Sequence, residues 1–474
     1  MSEATPLLSD SVDNRSQDVY DRFSPVQKKF ILSILAMAGI ISPFASGCFV
    51  PCVPEIAKDL NTSGSVINYT VAAYVFTIAL GNLIWAPYAG FYGRRPVYLV
   101  SLPLLCLGSL AAAISKNVLQ LVISRALQAF GASCVTSVGA ATISDIYKLE
   151  ERGTAMGVLL GTVLFGPALA PLLGGLTATY ASWRIMQLII FSMGLAALVF
   201  VAAFLPETSH PGSRGIDKLR AGETDTASAS SGKKQTWVWV WLNPFNPLGL
   251  LRGPNISLVV IASAMTLVTD YVLLIPLSYT IGSSYHIESP ALVGACFLVS
   301  GIGNIVGAPV AGHFSDRAVI NGRKRRGGEW VPEDRLTAAL PGAMVMVPFF
   351  VLVYGLTTQF VPGRLGLVID LICLFIHGVG IVGVLSPCST YIADIVHSRS
   401  AEALAVSYFV RNLFCSLASA VVLPTIDKIG VAATNGLAAV VGWLALGLLL
   451  ATIHYGDKLR AWVDIGYTSS LQDS

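Results

Sequence analysis

The sequence is poor in charge. Only 12% of its 474 residues are Asp, Glu, Lys or Arg, against about 25% in soluble domains, while 54% are hydrophobic. Such a chain has more apolar surface than a water-facing fold can bury. This excludes a disordered or nucleic-acid-binding protein and leaves lipid as the matching solvent. Signatures of enzymatic chemistry are missing too: there is no Walker-type phosphate loop, no G-x-S-x-G elbow and no H-E-x-x-H pair. The first 25 residues mix acidic, basic and polar side chains and show no pattern of a cleavable leader, so the first apolar span is expected to act as an uncleaved membrane signal. Glu3 followed by Leu7-Leu8 resembles an acidic dileucine sorting signal.

The eight cysteines, among them Cys106, Cys134, Cys296, Cys373 and Cys415, fall in or near apolar runs and read as small buried hydrophobes. Cys48 and Cys52 share a helical face, but no further His or Cys completes a metal set. No metal, disulfide or cofactor is expected.

What the chain does have is long apolar runs, each enough to cross a hydrocarbon core of roughly 30 Å. Six lie near 28–52, 67–90, 97–115, 118–146, 153–178 and 183–205, and six more near 254–282, 290–314, 337–358, 365–394, 401–426 and 432–455. Between the sets, residues 209–250 are rich in Gly, Ser, Thr and charge and cannot build a core of their own. The pattern predicts an all-α membrane protein of twelve transmembrane helices in two six-helix bundles, with an internal duplication. Its parts are a tail 1–27, a bundle 28–205, a linker 206–253, a second bundle 254–455 and a tail 456–474.

Most of the 30 basic residues sit in the tails and the even-numbered loops, whereas the odd-numbered loops hold only Lys58, Lys116, Arg184, Arg364 and Lys428. The positive-inside rule then places both termini and the linker in the cytoplasm. Arg323-Lys324-Arg325-Arg326 is read as a topology-setting cytoplasmic loop that also meets anionic lipid. The 44 glycines suit close helix packing in lipid, and Pro43, Pro167, Pro171, Pro276 and Pro387 interrupt spans, which lets helices bend.

A charge at the bilayer centre costs at least about 2.5–3.5 kcal/mol, so ionisable residues inside spans are the strongest clues to function. Four qualify: Arg125, Asp270, His377 and Arg411. Asp270 has Thr266 and Thr269 behind it and Tyr271 beside it; a carboxyl group in such a patch can exchange protons and serve as a carrier, or make a structural hydrogen bond or ion pair. Arg125 has two readings, a part in proton coupling or a clamp on neighbouring carbonyls. Arg411, with Ser407 one turn before and Asn412 beside it, suits a substrate carboxylate. Two arginines against one mid-span aspartate favour an anionic substrate. His377 either titrates or bonds between helices. Without a nucleotide site, work must come from an ion gradient. One proton supplies about 1.4 kcal/mol per pH unit and about 2.3 kcal/mol per 100 mV.

Several motifs then resemble the major facilitator superfamily, and within it the fungal-type twelve-span drug:proton antiporter branch. GNLIWAPYAGFYGRRPVY over 81–98 is similar to the family's cytoplasmic gate motif, with Gly93, Arg94, Arg95 and Pro96 in place. Gly90 and Phe91 stand where that motif has an acid and a base. The resemblance therefore leaves Arg94 or Arg95 to meet Asp145 or a helix end. GAPVAGHFSDR in the second half keeps Asp316 and Arg317, so the two gates are expected to differ in strength. Arg125, Gln128 and Gly131 resemble the R-x-x-Q-G motif, with Ala129 replacing a glycine, and this implies proton coupling at Arg125. Gly157, Gly161, Gly166, Pro167, Pro171, Gly174 and Gly175 resemble the antiporter signature and imply a hinge. Glu151-Arg152-Gly153, Leu205-Pro206-Glu207-Thr208, Pro332 to Leu336 and Ser389 to Asp394 also match.

By this resemblance the chain is no enzyme. It is expected to export a small organic metabolite or xenobiotic in exchange for protons, with a dicarboxylate such as itaconate as the leading substrate. The site residues are then Asp270, Arg125 and His377 for protons, and Arg411, Tyr271, Asn412 and Gln128 for substrate. Expected partners are the substrate, protons and the lipid bilayer, and no nucleic acid; the expected state is a monomer in the plasma membrane, with the vacuolar membrane as the alternative. A proton-coupled importer of the same fold and a non-transporting sensor are the rival readings.

Overall fold

A computed structural model describes residues 22–463 apart from 50–51, 211, 213, 218, 220–239, 278–280, 282–283, 286–289 and 397–398. The dileucine pattern and most of the polar linker lie outside the described residues. Within them the chain is helical, with no strand. Helix α1 spans Pro25–Gly39 and resumes after Ile40 as Ile41–Gly47. There follow α2 (Gly64–Tyr92), α3 (Arg94–Ala113), α4 (Val118–Ile146), α5 (Arg152–Tyr180) and α6 (Trp183–Phe204). The second set is α7 (Pro254–Leu274), α8 (Pro290–Arg325), α9 (Pro348–Phe360), α10 (Arg364–Ile395), α11 (Ser400–Ile429) and α12 (Val431–Trp462). Eleven helices among the described residues are long and apolar enough to cross a membrane, α11 not being among them. The thirty-residue α11 packs against α2 and α7 inside the assembly, completing the twelve.

Local chemistry explains the helix ends. Pro25 opens α1 behind a capping box in which Ser24 and Gln27 satisfy each other's backbone N–H groups. The seventh span, expected to run to 282, ends as a helix at Leu274, because Pro276 cannot donate into the helical ladder. The eighth runs past 314 to Arg325. The basic cluster is therefore not a loop: Arg323, Lys324 and Arg325 form the last turn of α8, where cations meet the negative end of the helix dipole. The ninth span is broken into Asp334–Thr337, a wide turn over Gly342–Met346 and then α9. Pro348 leaves the Met344 carbonyl without its helical donor, and Trp443 of α12 supplies one, its Nε1 donating over 3.2 Å. Helix α12 continues to Trp462, so the first residues of the expected tail belong to it.

Two six-helix bundles result. In one, α4 packs on α2 and α3, and α3 on α6; in the other, α12 packs on α7 and α9, and α8 on α10. Two seams join them, α5 along α8 and α2 along α11. The second helix of each half thus lies on the fifth of the other, as a duplicated chain folded about a pseudo-two-fold requires. Helices α6 and α12 are outermost and turn Phe200, Phe204, Leu437, Val440 and Leu444 outward, an apolar belt stable only against lipid.

Candidate functional site

Glycine makes the α5–α8 seam close. A side chain at Gly157 would run into the Ala308 carbonyl, one at Gly161 into the Ala308 side chain and the Asn304 carbonyl, and one at Gly312 into the Thr154 backbone. Asn304 Nδ2 bridges the seam by donating to the Leu164 carbonyl at 3.1 Å. Of the residues expected to form a hinge, Gly166 abuts Pro43 and the Ile40 carbonyl of α1, Gly174 abuts Cys48, and Gly175 has open space. Pro167 and Pro171 lie inside a continuous α5. In this conformation the glycines other than Gly175 serve close packing, on α8 at one end and on α1 and the Cys48 backbone that follows it at the other.

At the end of the molecule where the basic residues gather, called the basic end here, polar groups lock the seam. The N-terminal N–H groups of α5 need acceptors, and its own N-cap residue Glu151 makes no capping bond. Asp316 of α8 supplies them from the other half. It accepts from Gly153 N at 2.8 Å, Thr154 N at 2.9 Å and the Thr154 hydroxyl at 2.7 Å. Arg335 then joins Asp316 at 3.2 Å to Asp394 at 2.7 Å and donates to the Leu149 carbonyl of the first half at 2.7 Å. Arg152 of α5 pairs with the other oxygen of Asp394 and donates to the Ser144 carbonyl. All four charged side chains are buried, and two cations balance two anions. Arg317, expected at this gate, is exposed and takes no part: its position next to Asp316 on a helix points it about 100° away.

The first half has its own pair. Arg94 Nε donates to Asp145 at 2.9 Å and its Nη1 to the Ala89 carbonyl at 3.0 Å. Arg95 instead reaches the Ala202 carbonyl at 2.8 Å. The missing acid of the motif is not replaced at Gly90, which is exposed with open space around its Cα. Glu207 caps α3, accepting from Arg94 N at 3.0 Å and Arg95 N at 3.3 Å. Gly93 permits this contact: its φ is +107°, and a Cβ would collide with the Glu207 carboxylate. Sequence reasoning assigned no role to Glu207, Arg152, Arg335 or Asp394, although each falls in a motif matching the family.

Deeper in, Arg125 of α4 is 0% exposed and lies between the rings of Phe49 and Tyr74, 4.1 Å from each centroid. Its Nη1 donates to the Ala45 carbonyl at 3.1 Å and to Gln128 at 2.9 Å. Gln128 passes the chain to Ser109 and to Gln187 of α6, a residue the sequence reading did not single out. The Nε and Nη2 of Arg125 have no partner. In the second half, Asp270 is 4% exposed and faces His377 of α10, 3.7 Å away. Thr269 lies 3.3 Å from the other ring nitrogen of His377. Arg411 of α11 is 2% exposed; its Nη2 donates to Ser389 at 3.0 Å, it lies 5.4 Å from the Tyr408 ring, and its Nε is unpartnered. Tyr271 and Asn412 are half-buried. The structure thus brings Asp270 to His377 and Arg125 to Gln128, each pair within one half. Arg125 and Arg411 have no carboxylate within ion-pair distance among the described residues, and both are packed closed.

Charged side chains inside two apolar bundles, joined by seams that could part, describe a membrane transporter. The family model of the Major Facilitator Superfamily matches residues 35–421, and the chain belongs to that superfamily. It is an integral membrane transporter of small molecules, not an enzyme. It is 24% identical over 520 aligned residues to the MFS antiporter QDR3 of Candida albicans, covering 85% of this chain and 74% of that one. It is 30% identical over 209 residues to citrate exporter 1 of Aspergillus niger, covering 44% of this chain and 39% of that protein. Among solved structures, the proton:xylose symporter XylE aligns with a TM-score of 0.63 at 14% identity, over 95% of this chain and 99% of that one.

Proposed function

We propose that the protein exports a small organic anion in exchange for protons by alternating access, with a dicarboxylate such as itaconate as the leading substrate. The observation that carries this reading is an imbalance: Arg125 and Arg411 are buried without carboxylate partners and keep unsatisfied N–H groups, whereas Asp270 stands opposite His377. A guanidinium so placed is pre-set for a carboxylate once the bundle opens. Similarity to fungal antiporters and to a citrate exporter supports the direction and the substrate class. In this reading Asp270 carries the proton with His377 beside it, and Arg125 takes part in the coupling from the first half. Arg411, Tyr271, Asn412 and Gln128 receive the substrate.

The Arg152, Asp316, Arg335 and Asp394 set and the Arg94–Asp145 pair form the gate at the basic end. That end is cytoplasmic, as are both termini, and the bundles correspond to the expected 28–205 and 254–455, the first helix opening at Pro25 and the last running on to Trp462. The protein acts as a monomer in the plasma membrane. A panel of organic anions and drugs tested in proteoliposomes with an imposed pH gradient decides the matter. Asp270→Asn is expected to abolish gradient-driven accumulation while leaving part of the exchange of labelled for unlabelled substrate. Unchanged proton coupling in that variant removes Asp270 from the carrier role, and uptake driven in the opposite sense makes the protein an importer.

A further inference from the structure

The lipid-facing side of the α5–α8 seam carries an open crevice of about 420 Å³, lined by Thr154 of α5 and by Pro309, Val310, His313 and Phe314 of α8. Val310 and Phe314 are 46% and 56% exposed, so the crevice presents apolar surface toward the surrounding hydrocarbon. Following α8 from there to the basic end, His313, Arg317 and Lys324 are exposed at steps of four and seven residues, which keeps them on one face of the helix. Arg317 lies about 10 Å along the axis from Val310, at 1.5 Å per residue. Nearby cations are already engaged: Arg323 pairs with Glu150 and Arg326 with Asp334. Arg317 and Lys324 make no ion pair among the described residues, and the carboxylate adjacent to Arg317, that of Asp316, is taken up by α5. His313 exposes a polar ring beside an apolar crevice, a placement that asks for a polar partner.

We infer that this face binds one anionic phospholipid. Its phosphate sits at Arg317 and Lys324, His313 meets the phosphate or ester oxygens, and an acyl chain fills the crevice over Thr154, Val310 and Phe314. A zwitterionic lipid offers the same chain without net charge, so the two free cations discriminate by headgroup.

The test uses the full chain in nanodiscs of phosphatidylcholine containing a minor share of phosphatidylglycerol, with the lipids retained after mild detergent extraction counted by native mass spectrometry. The expected result is roughly thirtyfold preferential retention of phosphatidylglycerol, from about 1 kcal/mol of attraction for each of the two cations near the surface. The double variant R317Q/K324Q is expected to bring retention to parity. V310W, which fills the crevice and leaves every charge in place, is expected to lower it as well. Both sets of positions are exposed, and a symmetric gel-filtration peak verifies folding. Equal retention of the two lipids by the wild type, or unchanged phosphatidylglycerol in R317Q/K324Q, overturns the site. Unaltered retention in V310W, or displacement by inorganic phosphate alone, overturns the acyl-chain part.

Discussion

The two seams between the bundles are related by the internal duplication, yet they are built differently. Along α5–α8, glycines bring the backbones together, and a carboxylate from one half caps a helix of the other. Along α2–α11, the position where the family's motif has an acid is the exposed Gly90, and on α11 the buried hydroxyls of Ser407 and Tyr408 lack partners. One seam is an ion-paired latch over close packing, with only local orphans such as Asn304 Oδ1 beside it. The other has no ion pair across it among the described residues, and its orphaned hydroxyls are costly to bury. The closed conformation is accordingly held harder along α5–α8.

The largest effect is expected from Asp316→Ala, which uncaps α5 and leaves Arg152 and Arg335 to share the single carboxylate of Asp394. Losing one partner of a buried charge network costs on the order of 3–5 kcal/mol; thermal denaturation in detergent, with spin-label distances across the basic end, should show lower stability and a parted seam. Gly161→Val comes next. Overpacking a close helix contact costs roughly 1–3 kcal/mol, whereas Gly175→Val, into open space, should leave the melting temperature nearly unchanged, and equal losses would break the packing argument. At the weaker seam, Tyr408→Phe removes an unsatisfied hydroxyl and is expected to lie within about 0.5 kcal/mol of the wild type. A clear loss there would mean that the Tyr408 hydroxyl is bonded and that the two seams differ by their ion pairs alone.

A comparably small effect is expected at a pair remote from both seams. Asp59 is bonded to Arg184 and lies at the end opposite the basic one. The hydrogen bond from Arg184 holds the Asp59 carboxyl below its ordinary range, with a further contribution from Trp183. A lowered folded value means that the pair's contribution is present above the unfolded value of about 3.9 and is lost as pH falls through the folded one. Because both side chains are more than a third exposed, Asp59→Asn should cost only about 0.2–1 kcal/mol at neutral pH. The difference from wild type should vanish in acid, which melting curves from pH 7 to pH 3 would check.

The spans were legible because a run of apolar residues needs no partner to declare itself. Arg125, Asp270, His377 and Arg411 were legible for the converse reason, as charges costly to place in lipid. Helix ends were less so. The extension of α8 through its basic cluster and the break before α9 depend on dipole and proline chemistry, which a hydropathy average blurs. The latch was harder still. Arg152 and Asp394 stand 242 positions apart in sequence, and nothing local says that two halves will dock so as to pair them. Glu207 looked like the end of α6 and proved to be the cap of α3. The signal that could have found it is the glycine at position 93, whose missing side chain makes room for that carboxylate.

The latch at the basic end also implies a dependence on ionic strength. While Arg152, Asp316, Arg335 and Asp394 remain buried, mobile ions scarcely reach them; once the seam parts, the same four charges stand in electrolyte and their mutual attraction is screened. Added salt should therefore favour the parted form, so the buffer in which the protein is studied will help to decide which face of the membrane it opens to.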